Sequence, residues 1–441
     1  MSGRRIPAPP GAFLKWAAAA CVLTLSGTAS AQEQPEPTVT LVEAVERALQ
    51  VSPLMVQQQG AVQMASSSER VALGAFIPSL SFSTGGSFSS QTRFNPTTNT
   101  TATGSSESYN ARLSSSVDLF TGFRRGAQLR QARAETDAAE AAVVEQRFNV
   151  ALQAKTQFFD VLRNDDLVRI SEERIQQAEQ SLQAAVLRMN AGSATLSDSL
   201  RAHLELNQAR QQLLAAQNGR RAATYALGAT IGYQGPVGAR VEAPLAPSPL
   251  ALSDEELFAL VLEQSPTVQT AQANVRSSEA GVGASRSQWY PNVNLSGGYT
   301  WNNQEFSLNQ GNTSWSTGIS LSYPIFNGFS REDANERASI GLRVSRAQLD
   351  DVQRLARVNL DRVLNDLRLA EQQIVLTEEA LRVAQEDLRV VTSRYTLGAA
   401  TILDQITSQL AVTQANIDVI AARYDYQIAR AELEALVGRE L

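Results

Sequence analysis

The sequence predicts a mainly α-helical protein with a small β part, in which one architectural unit occurs twice. Three observations carry this. Long segments lack proline and place apolar residues at every seventh position. Four shorter segments alternate apolar with polar residues. RMNAGSATLSD at 188–198 returns as RYTLGAATILD at 394–404, with Arg188/Arg394, Gly192/Gly398, Ala194/Ala400, Thr195/Thr401 and Asp198/Asp404 identical at an offset of 206.

The N-terminus reads first as an export signal. Arg4, Arg5 and Lys15 precede the apolar run 16–25, and Ala29-Ser30-Ala31 is an A-x-A cleavage site. Residues 1–31 are therefore expected to be removed. The run is too short for a permanent membrane helix. It contains the only cysteine, Cys21, so the mature chain has no disulfide and no thiolate metal site. Acylation at Cys21 is the alternative, but AAAC has no Leu three residues earlier and VLTL continues the apolar run.

The full chain has 441 residues, 43% of them apolar, and a net charge of −6. That length supports two to three domains and a sizeable core. Removing the three positive charges of residues 1–31 leaves −9. An acidic chain without basic runs is a poor nucleic-acid binder.

Two repeats follow, at 40–231 and 253–441, separated by the Gly/Pro-rich linker 232–252. Each opens with a helix of about 35 residues (41–75; 254–288), with Thr40 and Ser253 as N-caps and Ser52-Pro53 or Ser265-Pro266 within it. Strands are expected at 79–90, 107–120, 292–302 and 313–323. In 79–89, Leu80, Phe82 and Phe88 alternate with serines; Val293, Leu295, Tyr299 and Trp301 alternate with Asn and Ser. About ten residues suits a tilted transmembrane strand, and Trp289, Tyr290, Trp315 and Tyr323 suit an interfacial girdle. Taken alone, the alternation favours a soluble antiparallel sheet with one wet face, because the barrel signal of any single strand is weak; the context of the strands shifts the reading. Ser/Thr/Asn-rich loops are expected at 89–107 and 302–313, and nothing else in the sequence is available to cover the apolar face. Four strands do not close a barrel, so membrane insertion requires several chains to share one: two give eight strands, three give twelve.

Long helices are expected at 123–190, 195–230, 330–397 and 401–438. From Ala127 to Asn190 there is neither Gly nor Pro, and 64 residues of helix extend roughly 95 Å. Val161, Val168, Ile175, Leu182 and Met189 form a heptad, as do Leu367, Ile374, Leu381, Leu388 and Tyr395. A strict seven-residue period implies a left-handed coiled coil or tube. Ser171, Ala178 and Ala185 are small neighbours that allow close approach. Gly192 and Gly398 then end the outgoing helices as left-handed caps, so the repeated stretches are hairpin tips.

Taken together, the chain resembles the TolC outer-membrane efflux family over essentially its whole mature length. The resemblance lies in the duplicated order, the Ser-Pro pairs, the Tyr/Ile-Pro before a Ser-rich strand, Phe-(Thr/Asn)-Gly-Phe after the second strand, and the R-x-x-x-G-x-x-T-(L/I)-x-D tips. It implies a homotrimer with a twelve-stranded outer-membrane barrel and a twelve-helix periplasmic tunnel. The tips would dock a periplasmic adaptor linked to an inner-membrane transporter, making the chain a passive duct for small-molecule efflux. Gly192, Ser193, Ala194, Gly398, Ala399 and Ala400 match the adaptor-contact segments. Asp404 matches an entrance ring, and Asp198 and Tyr395 match a network that holds the entrance closed. The arginine completing that network in some members is Ala400 here, and a second aspartate ring is Thr407; Arg394 or Arg188 is the candidate substitute.

The residues themselves allow two readings of these aspartates. Three Asp404 carboxylates around an axis would repel and raise one another's pKa. Alternatively each Asp is a first-turn carboxylate favoured by the helix dipole. Tyr395 continues its heptad, which points to packing. No catalytic chemistry or cofactor is expected: His203 has no partner His or Cys, and with Lys15 and Lys155 the only lysines there is no P-loop. Outer-membrane service in type I protein secretion, and an exported structural coiled coil without a channel, are the alternatives.

Overall fold

A computed structural model describes residues 36–241, 252–307 and 309–439. The expected signal at 1–31, with Cys21, and residues 242–251 of the linker lie outside the described residues.

Each expected opening helix of 35 residues is two helices. The first half has α1 (Leu41–Val51) and α2 (Pro53–Gly74). Proline lacks the N–H a helix interior needs and disfavours helical backbone at the residue before it. Ser52, at ψ 120°, accordingly ends α1 and caps α2. Short β1 (Thr38–Val39) precedes α1. The long helices α3 (Arg124–Asn190) and α4 (Leu196–Thr230) follow the first two strands. The short strand β4 (Gly238–Ala239) pairs in parallel with β1 and brings the linker back beside the start of the first repeat. The second repeat has α5 (Asp254–Gln264) and α6 (Pro266–Arg286), broken at Pro266 in the same way, then α7 (Ser330–Thr396) and α8 (Ile402–Val437).

The strands are β2 (Ser79–Asn95), β3 (Thr100–Thr121), β5 (Asn292–Asn303) and β6 (Asn312–Ser322), in the order β2-β3-β5-β6, all antiparallel. The first hairpin is longer than expected, because most of 89–107 is strand. Its Ser and Thr residues fall on both faces, and hydroxyl pairs Ser89–Ser106 (2.8 Å) and Thr92–Thr103 (3.0 Å) bridge the strands. A bulge at Leu119 puts Phe120, not Leu119, opposite Val293. One face carries the row Phe82, Leu113, Tyr299, Trp315 across all four strands; the other carries Ser81, Ser114, Gly298, Ser316. Each of β2 and β6 has one unpaired edge.

Phe120-Thr121-Gly122-Phe123 and Phe326-Asn327-Gly328-Phe329 join sheet to helices. In both, Gly and the following Phe are left-handed: φ is 59° and 67° in the first, 66° and 64° in the second. Two consecutive left-handed residues turn the chain sharply from strand into helix. The strained Phe of each turn is held edge-on by another ring: Phe123 by Phe120 (5.4 Å) and Tyr290 (5.7 Å), Phe329 by Phe326 (5.6 Å).

The helices α3 and α7 each have 67 residues, roughly 100 Å, and share both boundaries at the 206 offset. Each packs on its return helix, and α8 also packs on α3. The large-residue core lies where α1, α3, α4 and α8 meet: Phe158, Val161, Leu227 and Tyr424. Leu257, Val261, Leu364, Leu367 and Leu433 form its counterpart in the second repeat. Further along, Ala178 and Ala185 are buried and the Arg174 guanidinium is 2.6 Å from the Glu205 carboxylate, both side chains nearly buried between α3 and α4. No described helix is long and apolar enough to cross a membrane.

The two junction glycines differ in their surroundings. A Cβ on Gly122 would lie 2.5 Å from the Ser287 carbonyl oxygen, whereas one on Gly328 would meet nothing within 4 Å. Gly122→Ala should therefore destabilise by about 3 kcal/mol or more and Gly328→Ala by only about 1 kcal/mol. Denaturant or thermal unfolding of the two variants in detergent checks the order.

Candidate functional site

The two tips have one geometry. At the first, Ser193 N–H donates to the Arg188 carbonyl (2.9 Å) and Gly192 N–H to that of Met189 (3.0 Å), closing α3 in a Schellman motif with Gly192 at φ 74°. At the second, Ala399 N–H donates to Arg394 (2.8 Å) and Gly398 N–H to Tyr395 (3.1 Å), with Gly398 at φ 76°. Nothing crowds either glycine, so backbone conformation alone requires it. Gly192, Ser193, Gly398 and Ala399 are exposed, and Ala194 and Ala400 half-buried.

The return helices begin in matching capping boxes. Thr195 N–H and Oγ1 donate to Asp198 Oδ2 (3.0 and 2.8 Å), and Asp198 N–H donates back to Thr195 Oγ1 (3.2 Å). Thr401 and Asp404 repeat this at 2.8, 2.8 and 3.2 Å. Backbone and hydroxyl donation from the threonine holds each aspartate below the ordinary carboxylate value of 3.8. Within one chain, then, both carboxylates are engaged in capping.

Tyr395 is 7% exposed and packs on Ile402 and Ile406, as its heptad position implied. Its buried hydroxyl has no hydrogen-bond partner, and the chain does not join it to Asp198. Arg188 reaches it instead. The guanidinium lies 4.1 Å above the Tyr395 ring and donates to the carbonyls of Tyr395 (3.0 Å) and Thr396 (3.4 Å). This clasp ties the first hairpin to the second at their tips. Arg394 bonds within its own tip, to the Ala399 carbonyl (3.3 Å). The sequence named both arginines, but only the fold shows which one crosses. It did not single out Leu187, Leu397 and Leu403, which lie exposed beside the tips; a cue was present in three leucines next to capping residues.

At the other end, Trp289, Tyr290 and Tyr323 flank the sheet on its helical side, while Trp315 faces Tyr299 near the hairpin end. The four are 43–77% exposed. His203 is exposed on α4, and among the described residues no group of three or more His, Cys, Asp or Glu is placed to hold a metal.

The chain thus places a two-faced four-stranded sheet at one end of roughly 100 Å helical hairpins and paired capped tips at the other. The family described as outer membrane efflux protein matches residues 44–233 and 257–439, and the chain belongs to it. Among its relatives are the cobalt-zinc-cadmium resistance protein CzcC of Cupriavidus metallidurans, 25% identical over 73% of this chain and 76% of CzcC. CyaE of Bordetella pertussis is 28% identical over 75% of this chain and 70% of CyaE. The crystal structure of CusC superposes with TM-score 0.80 at 19% identity, covering 90% of this chain and 92% of CusC. That of VceC from Vibrio cholerae gives 0.78 at 19%, covering 90% and 96%. The chain is thus an efflux protein of the outer membrane.

Because donation lowers the pKa of Asp198 and Asp404, their capping contribution is complete above the ordinary value of 3.8 and is lost as pH falls through the lowered value. Protection of the amides at 193–198 and 399–404, exchange measured relative to the intrinsic rate at each pH, should therefore be constant from pH 7 to about 5 and fall only in stronger acid. Thr401→Ala should remove about 1 kcal/mol of local helix stability and raise exchange there at every pH.

Proposed function

We propose that three copies form one twelve-stranded barrel continuous with a twelve-helix tunnel, a passive duct for small molecules delivered by a periplasmic adaptor and an inner-membrane transporter. The observation that carries this is the sheet: one apolar and one polar face, and two unpaired edges. Edges inside lipid require closure. Eight strands would enclose a space that side chains fill, whereas a wall of Ser, Asn and Gly suits a wider, watery lumen, so three chains fit better than two.

The helices support the same assembly. Ile402 and Ile406 of α8 are buried, 2% and 8% exposed, while their repeat counterparts Leu196 and Leu200 of α4 are 64% and 61% exposed. Val383 and Val390 of α7 are exposed as well. An α4 face meeting the α7 face of the next copy would cover both.

In this reading Gly192, Ser193, Ala194, Gly398, Ala399 and Ala400 receive the adaptor, with Leu187 and Leu397 as apolar anchors. Asp404 and Asp198 ring the entrance. Tyr395, clasped by Arg188, holds each chain's two hairpins together and keeps the entrance narrow. Trp289, Tyr290, Trp315 and Tyr323 seat the barrel at the lipid interfaces. The duct performs no catalysis and holds no cofactor. Relatives' names span metal resistance, pyoverdine export and alkaline protease secretion, so protein secretion through the same duct is the second reading.

A photo-crosslinker at Ser193 in living cells should capture an adaptor protein and, with it, a pump whose class indicates the cargo. A protein correctly placed in the outer membrane that captures no adaptor from Ser193 or Ala399 would overturn the docking assignment. Arg188→Ala removes about 2 kcal/mol of cation–π and hydrogen-bond contact. It should raise channel conductance in planar bilayers; unchanged conductance would remove Arg188 from the gate.

A further inference from the structure

We infer that the barrel wall carries an anion-attracting site centred on Arg112, and that cargo passing it is favoured when anionic. The inference rests on the proposed barrel, in which the polar face of the sheet is the inner wall.

Arg112 sits in the polar row Ser83, Arg112, Thr300, Ser314. Its side chain lies along the sheet over β5: a Cβ at Gly298 would be 3.8 Å from both Nε and Nη2. It borders a shallow recess of about 310 Å³, walled by Ser114, Ser296 and Ser316 and floored by Gly298 and Gly318. Arg112 makes no side-chain hydrogen bond or ion pair among the described residues. Its fixed fork of N–H donors is therefore open to a carboxylate or phosphate.

The surrounding charges do not neutralise it. On this face Asp118 lies six positions along β3, roughly 20 Å away, and accepts a hydrogen bond from Asn294 Nδ2 (3.0 Å). Arg93 adds a second cation nearer the outer end. Glu107 pairs with Phe88 on the apolar face, where it accepts from the Tyr109 hydroxyl (3.1 Å).

The duplication shows that the fold does not require an arginine here. The repeat counterpart of Arg112 is Gly318, at the same 206 offset, and the second hairpin forms without a charge there. Three chains would present three Arg112 side chains flat against the wall, a ring of positive charge that leaves the lumen open. A ring of one sign biases which ions enter and dwell.

The test uses the mature oligomer in planar bilayers under a KCl gradient with the dilute side near 10 mM, where charges act over roughly 30 Å. Arg112→Glu should raise the potassium-to-chloride permeability ratio by about threefold or more, Arg112→Gln less, and Arg112→Lys should stay near the parent. Conducting variants with an unchanged ratio would overturn the site and leave the duct standing. An unmodified protein that forms no conducting pore would overturn the duct and the site together. If the variants fail to assemble, the unmodified channel decides: inorganic tripolyphosphate added from the barrel side should reduce its current at micromolar to millimolar concentration, and no block would overturn the site.

Discussion

Everything in this molecule follows from two rows of backbone groups at the edges of a four-stranded sheet. The outer edges of β2 and β6 offer N–H and C=O groups to no other strand among the described residues. In water this would be a modest liability; in hydrocarbon each unpaired group costs several kcal/mol. The row Phe82, Leu113, Tyr299, Trp315 makes one face suited only to lipid or a large partner. In the proposed trimer, closing the edges with further copies would satisfy the backbone and turn the serine face inward in one step. The left-handed Gly-Phe turns then direct the long helices away from the sheet, so a closed barrel imposes a ring of helices beneath it.

Duplication supplies near-equivalent hairpins with unequal surroundings. Both tips use the same Schellman closure and the same Thr–Asp capping box, so local sequence fixes their shape independently of neighbours. The differences lie in what covers them. Ile402 and Ile406 are buried beside Tyr395, whereas Leu196 and Leu200 await a surface from elsewhere. Arg188 finds an aromatic ring on the second hairpin; its counterpart Arg394 turns back on its own tip. The two tips of one chain are thus alike in backbone and unlike in side-chain packing.

Much of the fold was legible because period and parity are properties of the sequence alone. Heptads placed α3 and α7, alternation placed the sheet faces, and the glycines and threonines of the tips marked helix ends. The structure departs from these expectations at three places, each for its own physical reason. Helical periodicity runs through Ser52-Pro53, yet proline at the first position begins a new helix there. The Ser, Thr and Asn content of 89–107 predicts a loop, yet the hydroxyls pair across strands. The bulge at Leu119 is a one-residue register change that alternation does not reveal. At the tips, the aspartates were visible but their engagement with Thr195 and Thr401 was not, and which arginine crosses to Tyr395 depends on the packing of α3 against α8.

The central claim is that this sheet closes only with two more copies of itself. Native mass spectrometry of the protein extracted from outer membranes in mild detergent tests it most directly. The account predicts a single dominant species of three chains that survives until the detergent is made denaturing. A stable monomer, or an even-numbered assembly, would contradict it.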